Sequence, residues 1–132
     1  MSIFSSLFGT SESNEERHSN VNWVPLSDLK QLDEIIAESF ERPVIIFKHS
    51  TTCGISRMAF KQFENAFDLN DKVTSYYLDL LTYRMISNEV ATRFGIRHES
   101  PQLLLIKDGK CVYHVSHGAI DVENLKPQLE LR

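Results

Sequence analysis

Residue types able to carry covalent chemistry are sparse in this chain: two cysteines, Cys53 and Cys111, and five histidines among 132 residues. Cys53 lies near the end of the stretch Pro43 to Ser56, PVIIFKHSTTCGIS. Within it, Val44-Ile45-Ile46-Phe47 is short, β-branched and preceded by a proline, which predicts a fully buried strand. After Cys53 come Gly54-Ile55-Ser56, and then Met58, Phe60, Phe63, Ala66 and Phe67 recur at helical spacing. A strand, a tight turn and a helix thus meet at one sulfur. The first unpaired amides of a helix and its positive dipole end stabilise a thiolate there, and the thiolate is the nucleophile of thiol chemistry. Cys53 is the candidate nucleophile.

Its surroundings limit the chemistry. An enzyme that works with two thiols needs a second cysteine three positions after the first, to resolve a mixed disulfide internally. Ser56 occupies that position. A mixed disulfide on Cys53 must therefore await a thiol from outside, while the Ser56 hydroxyl and the amides of Gly54 and Ile55 are expected to stabilise the thiolate. Cys111 is expected beyond a hairpin turn, roughly 20 Å away at about 3.3 Å per strand residue, too far for a disulfide that needs Cα atoms within about 7 Å. It reads as an inert strand residue. His49, His98 and His117 fall on predicted loops at the Cys53 end, with spacing that matches no zinc pattern. We expect exposed loop histidines and no metal. Lys48 and Arg57 read as solvated charges, and Phe60, Phe63 and Phe67 as core.

The elements that must position Cys53 follow from pattern and punctuation. Residues 1–20 are polar, rich in serine and glutamate, and predict a flexible tail; Ile3, Phe4, Leu7 and Phe8 are its main apolar group. Trp23-Val24-Pro25-Leu26 reads as a short edge strand. Ser27 is expected to cap a helix whose apolar stripe is Leu29, Leu32, Ile35, Ile36 and Phe40, ended by Pro43. Beyond the helix after Cys53, Val73 to Leu81 is a second β-rich run. A helix from about Thr82 to Phe94 follows, with Ile86, Val90 and Phe94 on one face and Gly95 closing it. The polar loop 96–101 leads into a strand, Gln102 to Ile106. Asp108-Gly109 is a strong hairpin signal, so Lys110 to Ser116 should return antiparallel. Asp121 starts a last helix carrying Leu125, Leu129 and Leu131, with Pro127 its weakest point. The order is β-α-β-α-β-α-β-β-α, an α/β fold: helix-joined strands predict parallel pairing, and the terminal hairpin adds an antiparallel edge to a mixed central sheet.

Bulk properties narrow the partners. The chain is one domain's length, with 42% apolar residues and a formal net charge of −4, so no basic patch is expected for nucleic acid or an anionic membrane. No apolar run approaches a membrane span, and the N-terminus does not read as an export signal. Two cysteines make no disulfide framework. A cytoplasmic monomer is the expectation.

The chain from residue 21 to residue 132 resembles the thioredoxin superfamily in its cysteine between second strand and second helix, the Ser100-Pro101 pair opening the fourth strand, and the terminal β-β-α. That resemblance implies a cis Pro101 within van der Waals reach of Cys53. Within the superfamily, Lys48 to Ser56 together with Ser100-Pro101-Gln102 is similar to the monothiol bacilliredoxins, the YtxJ-like bacillithiol system redox-active proteins. Their usual turn is T-C-P-I-S; Gly54 stands where they have proline. The likeness implies a thiol-disulfide oxidoreductase whose Cys53 takes a low-molecular-weight thiol, such as bacillithiol, from client proteins carrying mixed disulfides. It implies no bound cofactor, and gives Thr52, Ser100 and Pro101 as substrate-binding residues.

An alternative of another class is iron-sulfur cluster carriage. Monothiol glutaredoxins share this fold and a C-G-F-S turn, one apolar residue away from C-G-I-S. Their valine-proline loop and the glycine pair before the last helix are not matched by Glu99-Ser100-Pro101 or His117-Gly118-Ala119, so exchange is the reading carried forward.

Overall fold

The computed structural model describes residues 19–131. The expected tail, residues 1–20, falls outside the described residues except for Ser19 and Asn20. Asn20 bonds the Asn65 carbonyl through its side chain, at 3.1 Å, and accepts from Asn70 through its own carbonyl, at 2.7 Å.

The elements in chain order are β1 (Trp23–Pro25), α1 (Lys30–Glu38), β2 (Val44–His49), α2 (Gly54–Ala66), β3 (Thr74–Asp79), α3 (Arg84–Phe94), β4 (Gln102–Lys107), β5 (Lys110–Ser116), a 3₁₀ turn (His117–Ala119) and α4 (Val122–Glu130). They form one sheet in the order β1-β3-β2-β4-β5. β2 lies at its centre, parallel to β3 from Val44↔Thr74 to His49↔Asp79 and antiparallel to β4 from Val44↔Ile106 to Lys48↔Gln102. β4 therefore runs against β2 although a helix joins it to β3, whereas the sequence predicts parallel pairing for helix-joined strands. Loop 96–101 follows α3 at the end of the sheet where β2 finishes, so β4 must start there and return.

Every residue of β2 is buried, because helices cover both faces of the sheet. Successive side chains of a strand alternate between faces. Ile45 and Phe47 join Phe63, Phe67, Leu103, Leu105 and Leu125 on the α2/α4 side. Val44 and Ile46 join Leu32, Ile35, Ile86, Val90, Leu104 and Ile106 on the α1/α3 side. Full burial of one such aliphatic or aromatic side chain contributes about 1.5–3 kcal/mol, so this doubly covered strand is the rigid mount for whatever follows it.

Punctuation residues act where expected. Gly95 takes the left-handed conformation, φ 66°, that ends α3. Asp108 and Gly109 both have positive φ, 53° and 79°, as a two-residue turn of this hand requires. Helix α4 continues through Pro127. Two expectations at α1 fail. The Ser27 hydroxyl caps nothing at its start: Asp28 Oδ1 accepts from Lys30 N at 2.9 Å, and the N-cap position is Leu29. Phe40, assigned to the apolar stripe, lies past the helix end and is 63% exposed, its ring lying over Gly109.

Candidate active site

Cys53 is exposed and occupies the N-cap position of α2, with extended backbone angles, φ −98° and ψ 124°. A turn closes behind it through Cys53 N to Ser50 O, 3.2 Å, and the first helical bond is Arg57 N to Cys53 O, 3.0 Å. The amides of Gly54, Ile55 and Ser56 precede that ladder and face the helix mouth. These are the groups that a thiolate, or the sulfur of a reacting disulfide, meets first. The Ile55 and Met58 side chains beside them are 68% and 64% exposed, an apolar rim next to the thiol.

The other predicted site residues gather at the same end. The Ser100–Pro101 peptide is cis. Pro101 directly precedes Gln102, which is registered opposite Lys48 near the end of β2. The Pro101 carbonyl accepts from His117 N at 3.1 Å, and the His117–Ala119 turn packs against α2. The cis-proline loop is thus tied to the helix that carries Cys53. Thr52 is exposed in the turn before the thiol, with its hydroxyl 3.4 Å from that of Ser50. The exposed Arg57 donates to the Thr51 carbonyl at 3.3 Å, closing the loop from outside.

Cys111 lies at the other end. It is registered opposite Ile106, which opposes Val44, the first residue of β2, whereas Cys53 follows beyond the last. The length of β2 alone separates them by roughly 16 Å. Its half-buried thiol donates to the Tyr113 carbonyl at 3.5 Å, and burial raises its pKa, so the neutral thiol is favoured.

Three expectations are corrected. The first is the Ser56 hydroxyl, expected at the thiolate: the side chain is fully buried and committed inward, where Ser56 Oγ accepts from Ser50 N at 3.0 Å and lies 2.8 Å from His49 Nδ1. The second is His49, which is no loop residue. It is the last residue of β2, 4% exposed, its ring stacked on Phe60 at a centroid distance of 4.5 Å and an interplanar angle of 8°. Burial pushes its pKa down, the Asp79 carboxylate opposes that and the Arg57 charge adds to it.

Lys48 is the third, and it is not solvated. Its side chain is fully buried on the α1/α3 face, with Nζ 3.2 Å from His98 Nδ1, and burial brings its pKa down to about 8. The exposed His98 also has Ser87 Oγ at 3.4 Å, and partial burial with the charges of Lys48 and Arg84 lowers its pKa. A neutral imidazole can therefore accept a hydrogen bond from the lysine. Beside this pair, buried Gln102 donates to the Arg97 carbonyl at 2.9 Å, while its Oε1 has no partner. Both contacts fasten loop 96–101 to the sheet.

These burials follow from strand register rather than from residue type. The six-residue register of β2 with β3 extends past Phe47, so the residues at 48 and 49 belong to the strand and share its doubly covered position. Polar type alone makes them look like loop.

Comparison with known proteins agrees with this geometry. The family model described as monothiol bacilliredoxin BrxC matches residues 24–125. A solved structure proposed to be an oxidoreductase with a thioredoxin fold superposes with a TM-score of 0.71 at 34% identity, covering 83% of this chain and 94% of that one. A thioredoxin of Malassezia sympodialis superposes at 0.61 with 23% identity, covering 85% and 90%. The Fasciola hepatica thioredoxin superposes at 0.59 with 21% identity, covering 80% and 94%. The last two show the fold alone.

Proposed function

Because this chain belongs to the monothiol bacilliredoxin family, we propose that it is a thiol-disulfide oxidoreductase that removes a low-molecular-weight thiol from protein mixed disulfides through Cys53. The observation that carries this reading is the placement of its thiols. One is exposed at a helix mouth, the residue three positions on is a serine, and the other cysteine sits at the far end of the sheet.

In the first step the Cys53 thiolate attacks the small-thiol sulfur of a client mixed disulfide. A bond forms between Cys53 and that sulfur; the client sulfur departs with the electron pair and takes a proton from water. The chain has no neighbouring thiol to resolve the adduct, so a second small thiol, as thiolate, attacks it. That releases a small-molecule disulfide and restores the Cys53 thiolate. The client is reduced and the small thiol oxidised, with no net change in the protein. Bacillithiol is the small thiol this reading takes as co-substrate, with no bound cofactor. Gly54 and Ile55 contribute amides at the reacting sulfur, while Thr52, Ser100 and Pro101 flank the entering disulfide. The exposed Ile55 and Met58 side chains offer apolar contact to a client. We place the chemistry in a reducing cytoplasm and in a monomer; among the described residues no helix is long and apolar enough to cross a membrane.

The test is release of bacillithiol from a client protein carrying it as a mixed disulfide, followed by mass spectrometry. The wild-type chain should release it and acquire the adduct on Cys53, and Cys53→Ser should do neither. Release by Cys53→Ser at the wild-type rate would overturn the proposal.

A further inference from the structure

We propose that Lys48 is a positioning residue for client binding: through His98 it fastens the loop that ends in the cis Ser100–Pro101 peptide to the strand that leads to Cys53. The role rests on the reading of Ser100 and Pro101 as flanking the entering disulfide, and deepens it. No part at the sulfur itself is assigned to Lys48.

Loop 96–101 joins α3 to β4 and belongs to neither helix nor strand. A segment of that kind keeps its place through the bonds its own groups make with the scaffold. Lys48 Nζ lies 3.2 Å from His98 Nδ1, and the buried Ser87 Oγ of α3 lies 3.4 Å from the same nitrogen. One residue earlier, the Arg97 carbonyl accepts from Gln102 Nε2 at 2.9 Å. Lys48 and Gln102 are register partners on the antiparallel strands β2 and β4, so their side chains emerge next to each other on one face of the sheet. Both are fully buried, and they grip consecutive residues of the loop. From His98 to Pro101 is three peptide links, at most about 11 Å of chain, so a displacement of the imidazole is passed along a short covalent path to the cis peptide.

The same strand serves both halves of the site. Lys48 lies five positions before Cys53, on β2, whose every residue is buried. Thiol and loop are thus referred to one rigid mount. An apolar side chain would fill this place among Ile46, Leu104 and Ile106 at lower cost, since taking an ammonium out of water opposes folding. Only a donor, however, can engage the bare nitrogen of a neutral imidazole. Lysine supplies that donor together with the length to reach past the end of the strand.

The experiment compares the full chain with Lys48→Met, His98→Ala and the double variant, using a client protein that carries bacillithiol as a mixed disulfide. KM for the client and kcat are measured at saturating bacillithiol, and the pH profile of Cys53 alkylation by iodoacetamide is measured for each protein in a Cys111→Ala background. Lys48→Met should raise KM about tenfold, the scale of one hydrogen bond to a charged group, with kcat and the alkylation profile unchanged. His98→Ala should raise KM by a similar factor, and the double variant no further than either, because both changes remove the same bond. An unmoved KM, additive effects, or an alkylation profile that shifts with the variants would each overturn the proposal. Deuterium exchange of the amides of residues 97–100, followed by NMR without any client, should be faster in Lys48→Met than in the wild type. A wild-type chain that releases no bacillithiol would strike the exchange reading, whereas unchanged exchange at those amides would overturn the tether itself.

Discussion

Lys48 Nζ lies 3.2 Å from His98 Nδ1, a fully buried amine bonded to an exposed imidazole on the loop that ends at the cis-proline. Burial lowers the lysine's pKa from 10.5 to about 8. Between those two values the unfolded chain holds a proton that the folded chain has released, so this group makes stability rise with pH across that window. Methionine keeps the apolar stem without the charge. Lys48→Met should therefore be more stable than the wild type at pH 7, with a gap that narrows as pH climbs from about 8 to 10.5. Urea unfolding of both proteins at the two ends of the window measures it, and a gap independent of pH would refute the assignment of cause.

On the acid side the sign is the same and the groups differ. His49 and His98 both have lowered pKa values, the first by burial and the second by burial with the Lys48 and Arg84 charges. Below the ordinary histidine value of about 6.5 the unfolded chain takes up protons that the folded chain resists, so stability falls as pH drops through and below that value. His49→Phe should flatten this acid limb while keeping the ring packed on Phe60. Thermal unfolding between pH 7 and pH 5 reads the change in slope.

At Gly54 the family's usual residue is proline, and the local structure would accept it. The position is the first of α2, where a missing N–H costs no helical bond. A Cβ there meets nothing within 4 Å, and Cys53 before it already has the extended angles, φ −98° and ψ 124°, that a following proline requires. Gly54→Pro should stabilise the protein by about 0.4–1 kcal/mol, chiefly by restricting the unfolded chain. It also removes one amide from the helix mouth, so alkylation of Cys53 at fixed pH should slow. Stabilisation without any slowing would show that the Gly54 amide contributes nothing to the sulfur.

Most of the fold is legible because its signals are local. Asp108-Gly109, Gly95 and the apolar run of β2 each act within a few residues, and each appears where expected. The direction of β4 is not local: it depends on which end of the sheet loop 96–101 occupies. The site divides the same way. Cys53 and Pro101 are readable from type and context, but the burial of Lys48 and His49 depends on how helices pack over both faces of β2, which residue type does not show. The commitment of the Ser56 hydroxyl to His49 depends in turn on that burial. Polar residues at the end of a central strand look like loop until the register with its neighbours is known.

Ser56→Cys tests how far the single-thiol character rests on this one residue. Positions three apart in a helical turn lie about 5–6 Å from each other, inside the range a disulfide accepts. The new thiol would sit where Ser56 is fully buried, near enough to attack an adduct on Cys53 and expel its small thiol. The variant loses the hydrogen bonds to Ser50 N and His49 Nδ1, so some stability is lost with the gain of a resolving group. In the client assay its small-thiol adduct should fail to accumulate, and mass spectrometry of the intact oxidised chain should show an internal disulfide between Cys53 and the introduced thiol. If the adduct persists as in the wild type with the new thiol still free, the residue at position 56 is not what keeps this protein from resolving its own mixed disulfide.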